Sequence, residues 1–142
     1  MKFMVIVKAS TDSEAGKMPD ATMLRAMHAF NEELFKAGVM QAGEGLHPTS
    51  RGARVRFEGP KRTVIDGPFA ETKELIAGYW IWECASLQDA IDWVKKCPNP
   101  HAEDSEIEIR QIFAPEDFGD VAPEVIAREA EMRAEFDARK KG

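Results

Sequence analysis

The sequence predicts an α+β fold with elements in the order β-α-β-β-α-β, and three observations carry that prediction. Residues 3–7 (Phe-Met-Val-Ile-Val) are apolar at every position, as a strand covered on both faces requires. Met23, Met27, Phe30 and Leu34 recur at spacings of four and three, which is one apolar stripe along a helix. Ile76 to Cys84 is rich in aromatics and apolar at both parities, with Ile76, Trp80 and Trp82 against Ala77, Tyr79 and Ile81.

The elements follow in order. The first strand leads into a polar loop over residues 9–20. Asp20 is placed to cap a helix that runs to about Ala37 and stops at Gly38, with Leu24 and Phe35 widening its apolar stripe. Val39 to Leu46 reads as a short strand, and Gly43 and Gly45 predict a bulge or bend near its end. Arg54–Phe57 and Thr63–Ile65 flank a Gly-Pro loop over residues 58–62, which predicts a hairpin. Asp66-Gly67-Pro68-Phe69 is a turn, and the aromatic strand comes next. Ser86 opens a second helix with Asp89 as its capping-box partner and Leu87, Ala90, Ile91 and Val94 as its stripe; Pro98 stops it. Ile107 and Ile109 alternate with Glu106, Glu108 and Arg110 in a half-buried strand. Residues 123–141 are helical, with Glu–Arg pairs at i, i+4 and a thin apolar face of Val125, Met132 and Phe136.

Setting the hairpin aside, this order is the ferredoxin-like split βαβ unit, with both helices on one face of an antiparallel sheet. Two helices cover one face only, yet two strands are apolar on both. A second copy of the sheet is the simplest cover, so a homodimer forming an α/β barrel is expected; the tail helix is the alternative cover.

Composition limits the function classes. The chain has 142 residues, 19 basic and 25 acidic, for a net charge of −6. That balance argues against nucleic-acid and anionic-membrane partners, both of which need basic surface. No apolar run reaches the length of a membrane span. Cys84 and Cys97 are the only cysteines, too few for a disulfide framework, so a reducing, cytoplasmic setting is expected. The RNA recognition motif shares the element order. Within Ala77–Cys84, however, only Gly78 and Tyr79 fit its third-strand pattern, and the leading basic residue is missing. The residues from Pro115 onward hold eight acids and five bases, about half of the net charge. Arg51, Arg54, Arg56, Lys61 and Arg62 gather around one hairpin, which leaves room for an anionic small molecule.

Several residues carry chemistry. Asp66 has two readings: an Asx turn whose carboxylate accepts from a backbone N–H just downstream, or a pocket acid or base. Glu71, Lys73 and Glu74 follow it, either as a solvated stretch before a strand or as a site where Lys73 holds a substrate carboxylate and Glu71 moves a proton. Glu44 stands between two glycines, which permit close approach of a ligand. His47 lies at a loop mouth, where an imidazole can shuttle a proton or bind an anion. Asp66, Glu71, Glu44 and His47 are therefore the catalytic candidates, with Lys73, Tyr79 and Arg54 as the substrate-binding candidates. His28 reads as a helix-surface residue, and His101 as a loop residue with no partner visible in sequence. Three histidines without ligand spacing give no metal signature, and the absence of a P-loop or dinucleotide fingerprint implies no cofactor.

Gly43-Glu44-Gly45-Leu46-His47-Pro48, Asp66-Gly67-Pro68-Phe69-Ala70-Glu71-Thr72-Lys73-Glu74 and Gly78-Tyr79-Trp80 together resemble the DGPF-containing branch of the YCII-related (YciI-like) family. The resemblance spans residues 1–118 and leaves 119–142 as a helical extension. It implies a dimeric ferredoxin-like barrel and a pocket with an acidic or His–Asp pair, and it implies no settled substrate. Members of this branch are often encoded beside extracytoplasmic-function sigma factors. Two functions are thus expected. One is a small-molecule-binding protein or cofactor-free enzyme acting by proton transfer, hydrolysis or isomerisation on a small organic acid or aromatic. The alternative is a non-enzymatic regulatory module, with a protein partner on the C-terminal helix.

Overall fold

The computed structural model of the chain describes residues 1–70 and 74–141 and forms two compact units, Met1–Gln111 and Ile112–Gly142. Glu71 and Lys73 lie outside the described residues.

The first unit holds a four-stranded antiparallel sheet of β1 (Lys2–Lys8), β2 (Met40–Gly45), β5 (Ile76–Glu83) and β6 (Ile107–Gln111), in the order β2-β5-β1-β6. With α2 (Ala21–Lys36) after β1 and α3 (Leu87–Lys95) after β5, this is the ferredoxin-like topology. The inserted hairpin, β3 (Ala53–Glu58) with β4 (Lys61–Asp66), forms a separate two-stranded sheet.

Register decides which residues share a face. Phe3 lies opposite Trp82, Val5 opposite Trp80 and Val7 opposite Gly78, and because opposed residues point the same way these six face one side. On that side they meet Phe30 and Leu34 of α2 and Ala90 of α3 to make the core. Phe30 packs edge-on to Trp80 and Trp82, with ring centroids 5.9 and 6.2 Å away. The other side of the sheet carries Met4, Ile6, Tyr79 and Ile81, of which only Ile6 is buried.

Local chemistry sets the helix ends. The Asp20 carboxylate accepts from Met23 N at 2.8 Å, and Gly38 takes the positive φ of 72° that turns the chain out of α2. Ser86 Oγ accepts from Asp89 N at 3.1 Å to start α3; the reciprocal bond of a full capping box is absent among the described residues.

Four local expectations are corrected. Leu24 and Phe35 do not widen the α2 stripe: they sit a further 100° around the helix from half-buried Met23 and buried Leu34 and are exposed, Phe35 by 73%. The irregularity in β2 falls between Met40 and Ala42, at its start and not at its end. The hairpin strands extend to Glu58 and Lys61, leaving only Gly59-Pro60 as the connection. Gly59 has φ 54° and Pro60 is confined to negative φ, the combination a type II′ turn requires. The polar loop after β1 contains one helical turn, α1 (Thr11–Glu14), closed by a reciprocal Ser10–Ser13 capping box.

The second unit has a 3-10 turn at Pro115–Phe118, tied by Ala114 N to Asp117 Oδ2 at 2.7 Å, and the helix α4 (Pro123–Lys141). On α4 Arg139 pairs with Glu135 at 2.7 Å, whereas Arg128 reaches Glu131 at 3.1 Å in place of the expected Glu124. Ile126 and Met132 are its half-buried residues, and Val125 and Phe136 are exposed. No helix among the described residues is long and apolar enough to cross a membrane.

Candidate functional site

The helix-facing side of the sheet is filled at one end and hollow at the other. Gly43 lies opposite Trp80, and Gly45 opposite Gly78, so three glycines face the helix layer beyond the tryptophans. With no side chains there, a groove of about 1380 Å³ opens between the sheet and the first half of α2. A Cβ at Gly45 would touch nothing within 4 Å, which marks the empty space directly. Gly43 is different: its Cβ would stand 2.8 Å from both Met40 Cε and Trp80 Cδ1, so its absence lets the indole lie against β2. The floor also includes Val7 and Trp80, and Met23, Met27 and Met40 line the walls. Thioether sulfur is polarisable and packs well on aromatic rings, so this lining suits a flat apolar body. The Trp80 indole N–H is held by Asn31 Oδ1 at 2.9 Å, which fixes the ring that forms the floor.

Polar groups sit at the edges of the groove. His47 and Arg51 border it, the latter from a 3-10 turn at Thr49–Arg51. Arg51 Nη1 is 3.2 Å from His47 Nδ1 and 3.3 Å from Nε2. Near-equal distances place Nη1 over the ring and not along either nitrogen's in-plane direction, and among the described residues neither ring nitrogen has another partner. At another edge His101 is half-buried, with Nε2 2.6 Å from the Lys8 carbonyl oxygen. A carbonyl only accepts, so Nε2 carries the hydrogen, and Nδ1 of a neutral ring is left as a base.

The remaining candidates fall elsewhere. The pleat sends Glu44 and Tyr79, which pair with each other, to the sheet side opposite Gly43 and Gly45, although both residues border the groove. Asp66 ends β4 opposite Ala53, is exposed and does not border the groove. Its Asx turn is not formed, because the Phe69 N–H donates to Thr49 Oγ1 at 3.0 Å. Arg54 stacks on Phe69, its guanidinium carbon 3.8 Å from the ring centroid. His28 is exposed, 3.6 Å from Glu32 on the same helix. Burial pushes the Cys97 thiol up to about 11 and also raises that of Cys84, so both stay protonated at neutral pH and neither is a ready nucleophile. Among the described residues no group of three His, Cys, Asp or Glu could hold a metal ion.

Residues 1–116 match the YCII-related domain. The chain belongs to the YCII-related family. An uncharacterized protein of Rhizobium meliloti (strain 1021) is 32% identical over 103 residues, covering 72% of this YCII-related chain and 83% of its relative. Among solved structures, 5-chloro-2-hydroxyhydroquinone dehydrochlorinase from Burkholderia phenoliruptrix AC1100, in complex with 2,5-dihydroxybenzoquinone, aligns over 80% of this chain and 94% of its own. It does so at 18% identity with a TM-score of 0.44.

Sequence reasoning reached His47 through its loop position and Glu44 through its flanking glycines. It passed over Arg51 as a site residue and over His101. The His101 partner, Lys8, is 93 residues away, and no local pattern marks that contact.

Proposed function

We propose that this protein binds a small organic acid with an aromatic body in the groove beside Gly43, Gly45 and Gly78, and acts on it without a cofactor by proton transfer. The observation that carries this reading is the union of an apolar, Met-lined floor with the stacked His47–Arg51 pair at its border. The ring lies on Trp80 and the methionines while Arg51 draws the carboxylate. A His47 ring nitrogen takes a proton from the substrate and returns it at a neighbouring position, which is an isomerisation. His101 is a second base on the same groove.

The chain works as a homodimer in this proposal, the two sheets closing into a barrel. Support comes from the apolar side of the sheet formed by Met4, Tyr79 and Ile81, which one chain leaves half-buried. The hairpin adds to it, since all its strand residues are exposed, Phe57 by 71%, and a lone two-stranded hairpin is marginal in water. The side chains of Glu44 and Tyr79 then lie on the covered side, although both residues border the groove. Multi-angle light scattering at micromolar concentration is expected to give twice the chain mass; a monomer removes the barrel.

The functional test uses 2-naphthoate and its neutral amide as calorimetric probes. The intact protein is expected to prefer the carboxylate, and Arg51→Ala to lose that preference while still binding the amide. Equal affinity for both probes in the intact protein would contradict the assignment of Arg51.

A further inference from the structure

We propose that the Asp66–Phe69 turn acts on the groove through Thr49. Thr49 and Glu14 are positioning residues that hold the wall carrying His47 and Arg51. The role assigned to that wall rests on reading the groove as the binding site; the latch itself does not.

Five contacts converge on one threonine and its turn. The Thr49 hydroxyl accepts from Phe69 N–H at 3.0 Å and donates to Glu14 Oε2, so both of its roles are used. The Thr49 N–H donates to the other oxygen of the same carboxylate at 3.2 Å. Gly67 N–H donates to the Gly52 carbonyl at 3.0 Å, and Gly52 N–H closes the 3-10 turn onto the Thr49 carbonyl at 2.9 Å. A side chain at Gly67 cannot be accommodated, because its Cβ would lie 1.7 Å from the Thr49 carbonyl oxygen. Arg54 covers the Phe69 ring from the hairpin side. The glycine and the phenylalanine amide of the motif are therefore both spent on Thr49 and its turn.

Thr49 is two residues from His47 and two from Arg51, so displacing it moves the segment that carries both. Glu14 comes from α1, whose Thr11 and Ser13 also border the groove. One carboxylate thus ties the two loops that flank the groove to the Asp66–Phe69 turn. Valine at position 49 would keep the shape, but would leave the Phe69 N–H without an acceptor and one Glu14 oxygen without its donor. Serine would keep both bonds.

The test is amide hydrogen exchange by NMR on the full chain, with 2-naphthoate affinity measured on the same samples. Thr49→Val is expected to speed exchange at Phe69 by about fivefold or more, the loss of one hydrogen bond. It is also expected to weaken 2-naphthoate several-fold, and Thr49→Ser to restore both. Glu14→Ala is expected to speed exchange at the Thr49 amide and weaken 2-naphthoate, and it decides the matter if Thr49→Val does not fold. Exchange at Phe69 within about twofold of the intact protein in Thr49→Val, less than one hydrogen bond is worth, overturns the latch. So does a Thr49→Ser chain that behaves like Thr49→Val. Faster exchange with unchanged affinity overturns the positioning role. If the intact protein does not bind 2-naphthoate, the binding-site reading fails, while the exchange result still decides the latch.

Discussion

One layer of this molecule, the helix-facing side of the sheet, has been built in two opposite ways. At one end Phe3, Val5, Trp80 and Trp82 meet Phe30 and Leu34, and Trp82 has no exposed surface. At the other end the same sheet carries Gly43, Gly45 and Gly78, and at Gly45 a Cβ would meet nothing within 4 Å. The backbone pairing runs through both, with register shifts between Met40 and Ala42 and between Val7 and Lys8. Side-chain volume separates the two ends: the tryptophan end supplies cohesion, and the space beside Gly45 is one that cohesion elsewhere keeps from collapsing. Rigid packing beside a void is what a preformed site needs.

Substitutions at the two ends should separate these roles. The largest effect is expected at Trp82. Trp82→Ala removes a fully buried indole and should cost about 3–5 kcal/mol in urea denaturation; a loss under about 1 kcal/mol, the scale of an exposed site, would mean the filled end is not the core. Gly43→Ala stands at the boundary, where the new methyl meets Met40 and Trp80 at 2.8 Å. It should cost about 1–3 kcal/mol by overpacking and change tryptophan fluorescence. An unchanged spectrum would show that Trp80 does not rest there.

A gentler probe of the filled end is Cys97, which packs against that core. Burial raises its thiol from 9.0 to about 11, so between those values the folded chain holds the proton more tightly than the unfolded one. Its contribution to stability is complete below 9.0 and is lost as pH rises towards about 11. Urea midpoints should fall over that window and fall less in Cys97→Ala; identical slopes would refute the burial. The smallest effect belongs to Asp66, exposed and away from the groove. Asp66→Asn should change stability by no more than about 0.5 kcal/mol and leave 2-naphthoate binding intact. A lost affinity would return Asp66 to the site.

The filled end was legible in the sequence and the hollow end was not, for a physical reason. Periodicity reports side chains that are present, so the stripe from Met23 to Leu34 and the aromatic strand marked the core, and Asp20, Gly38 and Ser86 marked helix boundaries. A groove made of missing side chains has no periodicity. Gly43 and Gly45 were visible as glycines near Glu44, but their pairing with Trp80 and Gly78 is a matter of register between distant strands. Thr49, Glu14 and Phe69 are separated by 35 and 20 residues, and His101 finds its partner 93 residues away. The turn that Asp66 begins is held by its neighbours Gly67 and Phe69 and not by its own carboxylate, a pairing across the fold that the local sequence does not mark.

Gly45→Leu tests the central claim most directly, because the new side chain enters space where a Cβ meets nothing within 4 Å. Calorimetry with 2-naphthoate should show the affinity reduced about tenfold or more, a loss of about 1.4 kcal/mol, with the melting temperature nearly unchanged. Unchanged affinity in a folded Gly45→Leu chain would contradict the account, since the groove could then be filled without touching the ligand.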